Sequence, residues 1–198
     1  MALQLILATH NPGKLTEMQT ILTSLGVQVL SPADAGVSVE VEETGSTFAE
    51  NALLKAKAIC AAAGLPAIGD DSGLCVDALN GGPGVYSARY GGEGLDDRGR
   101  QMLLLDSLRG QGTRAAHFTC AVACAFPNGD ILEAEGRCDG AIAYAPLGDS
   151  GFGYDPVFLV PSLGKTFGQL SPEEKSAISH RGKALAAFAE KLGTYLRK

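Results

Sequence analysis

Phe118-Thr119-Cys120-Ala121-Val122-Ala123-Cys124-Ala125-Phe126, followed by Pro127-Asn128-Gly129-Asp130, is the stretch that decides the fold. Bulky apolar side chains alternate with Thr and Ala, the period of two that a pleated strand imposes. Asn-Gly tolerates positive φ, so the chain is expected to turn back here as a hairpin, with a returning strand from Ile131 to about Asp139. Cys120 and Cys124 share one face of the run and read as small buried hydrophobes.

Working outward, residues 3–8 read as a buried strand, and Pro12 sits in the first turn of a helix that runs to about Leu25 and stops at Gly26. Thr47-Phe48-Ala49-Glu50 has the capping-box pattern, and the Ala- and Lys-rich helix behind it ends at Gly64. Short apolar runs at residues 66–69 and 74–78 read as two strands flanking Asp70-Asp71-Ser72-Gly73. A glycine-rich loop over residues 81–94 precedes a helix from about Leu95 to Arg109. A second loop, residues 147–156, precedes a strand over residues 157–160. Ser171-Pro172-Glu173-Glu174 is another helix start, and a last amphipathic helix covers roughly residues 181–196. Helices interleaved with strands and one long hairpin imply an α/β fold with a mixed sheet.

The chain has 198 residues, is 45% hydrophobic and 19% charged, and carries a net charge of −6. These are ordinary values for a globular protein with a sizeable core. The acidic balance argues against a general nucleic-acid binder, though a few local Lys and Arg residues suffice for a phosphate. The five cysteines form no CxxC pair, so neither a disulfide framework nor a zinc cluster is expected. Reduced thiols and the lack of a signal peptide point to the cytoplasm, and no stretch approaches the ~18 apolar residues of a membrane span.

Four segments carry chemistry. Thr9-His10-Asn11-Pro12-Gly13-Lys14 lies between a buried strand and a helix, where unpaired N–H groups, the helix dipole and Lys14 suit an anion; an ordinary strand-to-helix turn is the plainer alternative. It lacks the Walker A spacing, and Gly164-Lys165-Thr166 fails the same test because Leu159 stands where the first Gly is required. Asp70-Asp71 places two carboxylates side by side, for which a divalent cation is a natural partner, and Glu42-Glu43 is a second acidic pair. On an extended chain Asp70 and Asp71 point to opposite faces, so one is expected to face substrate while the other braces the structure. Asp-Asp-Ser-Gly is equally a sequence that makes a turn, and Glu42-Glu43 equally a solvated run. Gly151-Phe152-Gly153-Tyr154-Asp155-Pro156 holds an aromatic ring between two glycines, either a stacking platform for a base or a loop pinned by aromatics. Lys175, His180 and Arg181 gather donors at one helical junction, and an Arg offers two parallel bonds to a carbonyl and its neighbouring ring nitrogen.

Together these segments resemble the inosine triphosphate pyrophosphatase family, the Ham1-like dITP/XTP pyrophosphatases. The matching residues are Thr9-x-Asn11-x-x-Lys14, Glu43-Thr44-Gly45, Phe48-x-Glu50-Asn51-Ala52 and Lys55. They continue with Asp70 to Leu74, Pro83 to Tyr90, Gly151 to Pro156 and Glu174 to Gly182. The resemblance covers nearly the whole chain. It implies a single domain, residues 1–198, of elongated two-lobed α/β fold with a central mixed sheet and a cleft between the lobes, usually in a homodimer. It implies magnesium-dependent hydrolysis of ITP, dITP and XTP to the monophosphate and pyrophosphate, which cleanses the nucleotide pool of deaminated purines.

The resemblance also implies roles. Asp71 is the general base and a magnesium ligand, and Glu43 a second ligand. Thr9, His10, Asn11, Pro12, Gly13 and Lys14 hold phosphates, Lys55 faces them, and Ser72 contacts substrate. Phe152, Gly153, Tyr154, Asp155, Lys175, His180 and Arg181 line the nucleotide site. Base selection would rest on purine position 6, where Arg181 and His180 donate to a carbonyl and oppose adenine's amine. Two rival functions are compatible with parts of this pattern. A Maf-type pyrophosphatase shares the fold logic, but the 152–156 and 179–182 segments argue against it. A catalytically silent nucleotide sensor leaves Asp71 and Glu43 unexplained.

Overall fold

The computed structural model describes residues 3–9, 11–24, 26–92 and 94–197. In chain order the elements are β1 (Gln4–Leu7), α1 (Pro12–Ser24), β2 (Gln28–Leu30), α2 (Phe48–Ala63), β3 (Ala67–Val76), α3 (Asp97–Ser107), β4 (Ala115–Ala125), β5 (Ile131–Ile142), β6 (Phe158–Val160), β7 (Lys165–Thr166), α4 (Pro172–Ile178) and α5 (His180–Tyr195). The strands form one sheet in the order β2-β1-β3-β4-β5-β6-β7. β1 runs parallel to β2 and β3, whereas β6 is antiparallel to β5 and β7, so the sheet is mixed as expected. The β4–β5 connection is the anticipated turn, and Gly129 supplies the positive φ of 91°.

Local chemistry sets the helix ends. Thr47 caps α2 in a full capping box with Glu50, and Gly64 closes the helix in the left-handed region at φ 66°. Ser171 and Glu174 form the same reciprocal box at the start of α4. Two findings differ from the sequence reading. The segment expected as two strands around an Asp-Asp-Ser-Gly turn is one continuous ten-residue strand, β3. The short strands β2 and β7 were not anticipated, and β5 continues to Ile142.

The chain divides into two compact units: Met1–Asp71, Cys120–Gly136 and Arg181–Lys198 form the first, and Ser72–Thr119 with Arg137–His180 the second. In the first unit the sheet is covered on both faces. Leu5, Leu7, Ile68, Cys120, Val122 and Cys124 pack with Met18 and Leu22 of α1 and with Leu185, Phe188 and Leu192 of α5. On the other face Ile6, Ala67, Ala121, Ala123 and Ala125 pack with Ala52, Ala56 and Ile59 of α2. The alternation in β4 therefore separates two buried faces, one of large residues and one of alanines that admit a helix at close range. The second unit has its own core of Leu74, Leu104, Phe118, Phe158 and Phe167 among others. All five cysteines are free thiols, and Cys75 alone among them is only half-buried. No helix among the described residues is long and apolar enough to cross a membrane.

Gly69 shows how close α2 lies to β3. A Cβ there would collide with the Ala52 carbonyl oxygen and fall 2.9 Å from the Ala56 nitrogen, both helix backbone that cannot yield. Gly69→Ala should cost about 1–3 kcal/mol by overpacking. Gly193→Ala, within α5, meets nothing nearer than the Arg197 side chain at 3.5 Å and should gain about 0.4–1 kcal/mol. Urea unfolding of both variants measures the contrast, and a neutral Gly69→Ala would contradict this packing.

Candidate active site

The alternation of β3 sends Asp70 and Asp71 to opposite faces of the sheet, and each meets the helices that cover its face. Asp70 is on the side of α1 and α5. It is 1% exposed, and its Oδ2 lies 3.0 Å from Lys14 Nζ, an ion pair rather than an aligned hydrogen bond. Arg181 Nε stands 3.8 Å from the same oxygen, while Arg181 Nη1 bonds Glu17. Lys14 and Glu17 are three residues apart on α1 and so share a helix face. Asp70 Oδ1 has no hydrogen-bond donor among the described residues. Burial alone would push the Asp70 carboxyl up, but Lys14, Arg181 and Lys55 together hold it below its ordinary value. Cys120, beside this group, is silenced as a nucleophile, its thiol pushed up to about 12 by burial and then by the Asp70 charge.

Asp71 is on the side of α2. Asn51 Nδ2 donates to Asp71 Oδ2 at 3.0 Å. One turn along the helix, Lys55 Nζ donates to Glu43 Oε1 at 2.6 Å. Burial pushes the Asp71 carboxyl above the ordinary aspartate range, against the Lys55 charge and the Asn51 bond that pull it down. The two adjacent aspartates are thus tuned in opposite directions, the arrangement that separates a structural anion from a proton acceptor.

The start of α1 differs from the expected row of unpaired N–H groups. Asn11 Oδ1 accepts from Gly13 N at 3.0 Å and Lys14 N at 3.2 Å, and Thr9 Oγ1 accepts from Asn11 N at 3.2 Å. Pro12 has no N–H, so the first turn is capped by its own side chain. Lys14 and the Asn11 amide remain the groups there suited to a phosphate. His10 lies outside the described residues.

In the second unit the 151–155 loop is anchored from two sides. Asp155 Oδ2 accepts from Phe152 N at 2.9 Å and from Lys175 Nζ at 2.8 Å. Gly153 N donates to Asp97 Oδ2 at 2.7 Å, and Gln101 Nε2 donates to Gly153 O at 2.6 Å. Asp97 and Gln101 are four apart on α3 and grip both polar groups of one residue. Tyr154 OH donates to the Ser87 carbonyl at 2.8 Å. Lys175 Nζ stands 4.8 Å from the centre of the half-buried Phe152 ring. His180 is stacked on Phe118 at 4.5 Å, and Ser72 is half-buried on β3.

The structure therefore brings Lys14, Glu43, Lys55, Asp71 and Arg181 together in the first unit, and Phe152, Gly153, Tyr154, Asp155, Lys175 and His180 in the second. Sequence reasoning gave no role to Glu17, Asn51, Asp97 or Gln101. Asn51 had a visible signal, a carboxamide in the middle of an Ala-rich helix and within the matched 48–52 segment. The other three depend on partners remote in sequence.

The Ham1 family model matches residues 5–191. The chain belongs to the Ham1 family. A protein of Exiguobacterium sp. named dITP/XTP pyrophosphatase is 47% identical over 98% of this chain and 100% of its own. One of the same name from Synechocystis sp. is 54% identical over 91% of this chain and 90% of its own. Among solved structures, a HAM1 protein from Coxiella burnetii superposes with TM-score 0.90 at 43% identity, covering 97% of this chain and 99% of that one. The Staphylococcus aureus Ham1 protein does so at 0.88 and 41%, covering 97% and 99%. The family's α/β fold and this chain's mixed sheet agree.

The opposite tuning of the aspartates has a measurable consequence. Asp70, its carboxyl lowered on folding, contributes stability above the ordinary aspartate value of 3.8 that is lost as pH falls through its lowered value. Asp71, its carboxyl raised, opposes folding while ionised, and that opposition is relieved as pH falls through its raised value. In metal-free protein, ¹³C carboxyl titration should place Asp71 above Asp70. Asp70→Asn, which strands Lys14 and Arg181, should cost about 3–5 kcal/mol, far more than Asp71→Asn. A reversed order in either measurement contradicts the assignment.

Proposed function

We propose that this chain hydrolyses non-canonical purine nucleoside triphosphates (ITP, dITP and XTP) to the monophosphate and pyrophosphate, clearing deaminated purines from the nucleotide pool. The observation that carries the reading is Asp71. Its carboxyl is raised toward a useful proton acceptor and has Asn51 and Lys55 about it, in a chain about half identical to proteins named for this activity.

Asp71 takes a proton from a water as that water's oxygen bonds to the α-phosphorus. The bond from the α-phosphorus to its bridging oxygen breaks, and pyrophosphate leaves with the electron pair. Lys14 and Lys55, together with Lys175, offer positive charge to the polyphosphate. Lys14 and Lys55 are held by Asp70 and Glu43 in the protein alone, so a phosphate competes for lysines already placed. Thr9, Asn11, Gly13 and Ser72 complete the phosphate contacts, and the proposal extends to the neighbouring His10 and Pro12.

Magnesium fits the residues present. It is commonly held by one or two carboxylates with waters and substrate phosphates rather than by an all-protein cage. No cluster of three or more His, Cys, Asp or Glu suited to a metal occurs among the described residues, while Glu43 lies close enough to Asp71 for its charge to raise that carboxyl further, so these two carboxylates would hold such an ion between them. Bound there, magnesium supplies charge neutralisation for the phosphates and the leaving pyrophosphate.

For the base, Phe152 offers a stacking face, in a loop whose backbone Asp155, Asp97 and Gln101 fix. Tyr154 braces it through Ser87, and Arg181 and His180 donate to the 6-carbonyl. Adenine presents an amine at that position and meets donors with a donor. The proposal also comprises one catalytic domain made of both units, a homodimer, and a cytoplasmic site of action. Its partner is a nucleotide rather than nucleic acid or membrane, in keeping with a net charge of −6.

The test is kcat/KM for ITP, XTP and ATP with magnesium, with product identification. Wild type should yield monophosphate and pyrophosphate, and stepwise diphosphate and free phosphate would contradict the reading. Asp71→Asn should lower turnover about 10²-fold or more. Phe152→Ala should weaken all three nucleotides by a similar factor, because stacking ignores the 6-substituent. Arg181→Lys, which keeps a charge near Asp70, should weaken ITP and XTP by about 1–3 kcal/mol while scarcely changing ATP. An equal loss on all three would make Arg181 a phosphate or structural residue.

A further inference from the structure

Asn51 is the one fully buried amide side chain of α2, with 0% exposure. Asn is a poor helix former in mid-helix, and a buried carboxamide costs free energy unless both ends are bonded. Both are, and to groups outside the helix. Nδ2 donates to Asp71 Oδ2 at 3.0 Å, and Oδ1 accepts from Gly45 N at 2.8 Å. Gly45 is pressed against this amide: a Cβ there would lie 2.6 Å from Asn51 Oδ1 and 2.7 Å from Glu50 Cβ. One side chain thus joins the turn that carries Glu43 to the carboxylate of Asp71.

We propose that Asn51 is a positioning residue, which fixes the rotation of the Asp71 carboxylate and its relation to the Glu43-Thr44-Gly45 turn. An amide alone among side chains of this size and shape offers a donor to one and an acceptor to the other. A carboxylate free to rotate about Cβ–Cγ would meet the attacking water in productive geometry for only part of the time, and a misplacement on the scale of 1 Å costs about 10²-fold. Gly69 serves the same end, because its missing side chain lets α2 approach β3 close to where Asn51 reaches Asp71. The inference rests on Asp71 as the proton acceptor of the proposed reaction.

Asn51→Asp and Asn51→Ala separate the two contacts. Asn51→Asp keeps the shape and the acceptor for Gly45 N–H but replaces the fixed amide donor by a carboxyl, which repels Asp71 when both are ionised and shares its proton with Asp71 when they are not. It should fold and lower kcat by about tenfold to a hundredfold with little change in nucleotide KM. Asn51→Ala loses both contacts and should in addition weaken magnesium binding measured calorimetrically without nucleotide. In both variants the ¹³C carboxyl signal of Asp71 should move or broaden in the metal-free protein. A folded Asn51→Asp with wild-type kcat, or an Asp71 signal unmoved in both variants, overturns the inference. Should Asn51→Ala fail to fold, Asn51→Asp still decides. A wild-type protein that releases no pyrophosphate would sink the proposed reaction instead, and the Asp71 signal would still judge the positioning role.

Discussion

A carboxylate with 1% exposure in the middle of a sheet is untenable unless cations reach it, and the first unit is organised around supplying them to Asp70. Lys14 arrives from α1 and Arg181 from the first turn of α5, two segments far apart in sequence that this charge brings to one face of β3. Glu17 adds a further acidic partner to Arg181, so the guanidinium is bonded as well as balanced. Remove the aspartate, and two cations are left facing an apolar core of Cys120, Leu7 and Phe188. The balance fixes where α1 begins relative to β3, and with it the position of the Thr9–Lys14 turn.

The next residue turns the same strand to another purpose. For Asp71, burial outweighs the Lys55 charge and the hydrogen bond from the neutral Asn51. Its carboxyl is raised where that of Asp70 is lowered. Two adjacent carboxylates pushed apart in proton affinity allow one strand to carry a permanent anion on one face and an exchangeable proton on the other. The close backbone approach at Gly69 sets α2 against the Asp71 face of β3, so the packing of the helix and the environment of that carboxyl share one constraint. In the second unit, Asp97 and Gln101 on one side and Asp155 on the other hold the loop that carries Phe152.

Much of this was legible in the sequence wherever the determining partners are near in the chain. The capping boxes at Thr47 and Ser171, the helix stop at Gly64 and the Gly129 turn all depend on residues within a few positions, and each formed as read. β3 was misread for the opposite reason. Asp-Asp-Ser-Gly has the local chemistry of a turn, and it is kept extended by Lys14, Asn51 and Arg181, none within fifteen residues of it. β2 and β7, with three and two residues, are too short to show a period. The phosphate-binding argument for the start of α1 assumed open N–H groups, whereas Asn11 caps them itself. Family resemblance supplied the roles of Phe152, Lys175 and His180, which no local pattern could have assigned.

The central claim is that Asp71 directs a water at the α-phosphorus. A single turnover of XTP with enzyme in excess, run in H₂¹⁸O and read by mass spectrometry, tests it most directly. The account predicts one ¹⁸O atom in the monophosphate and none in pyrophosphate. Label in the pyrophosphate would mean attack at the β-phosphorus, and an unlabelled pair of products would mean that the carboxylate itself attacked; either result contradicts the mechanism.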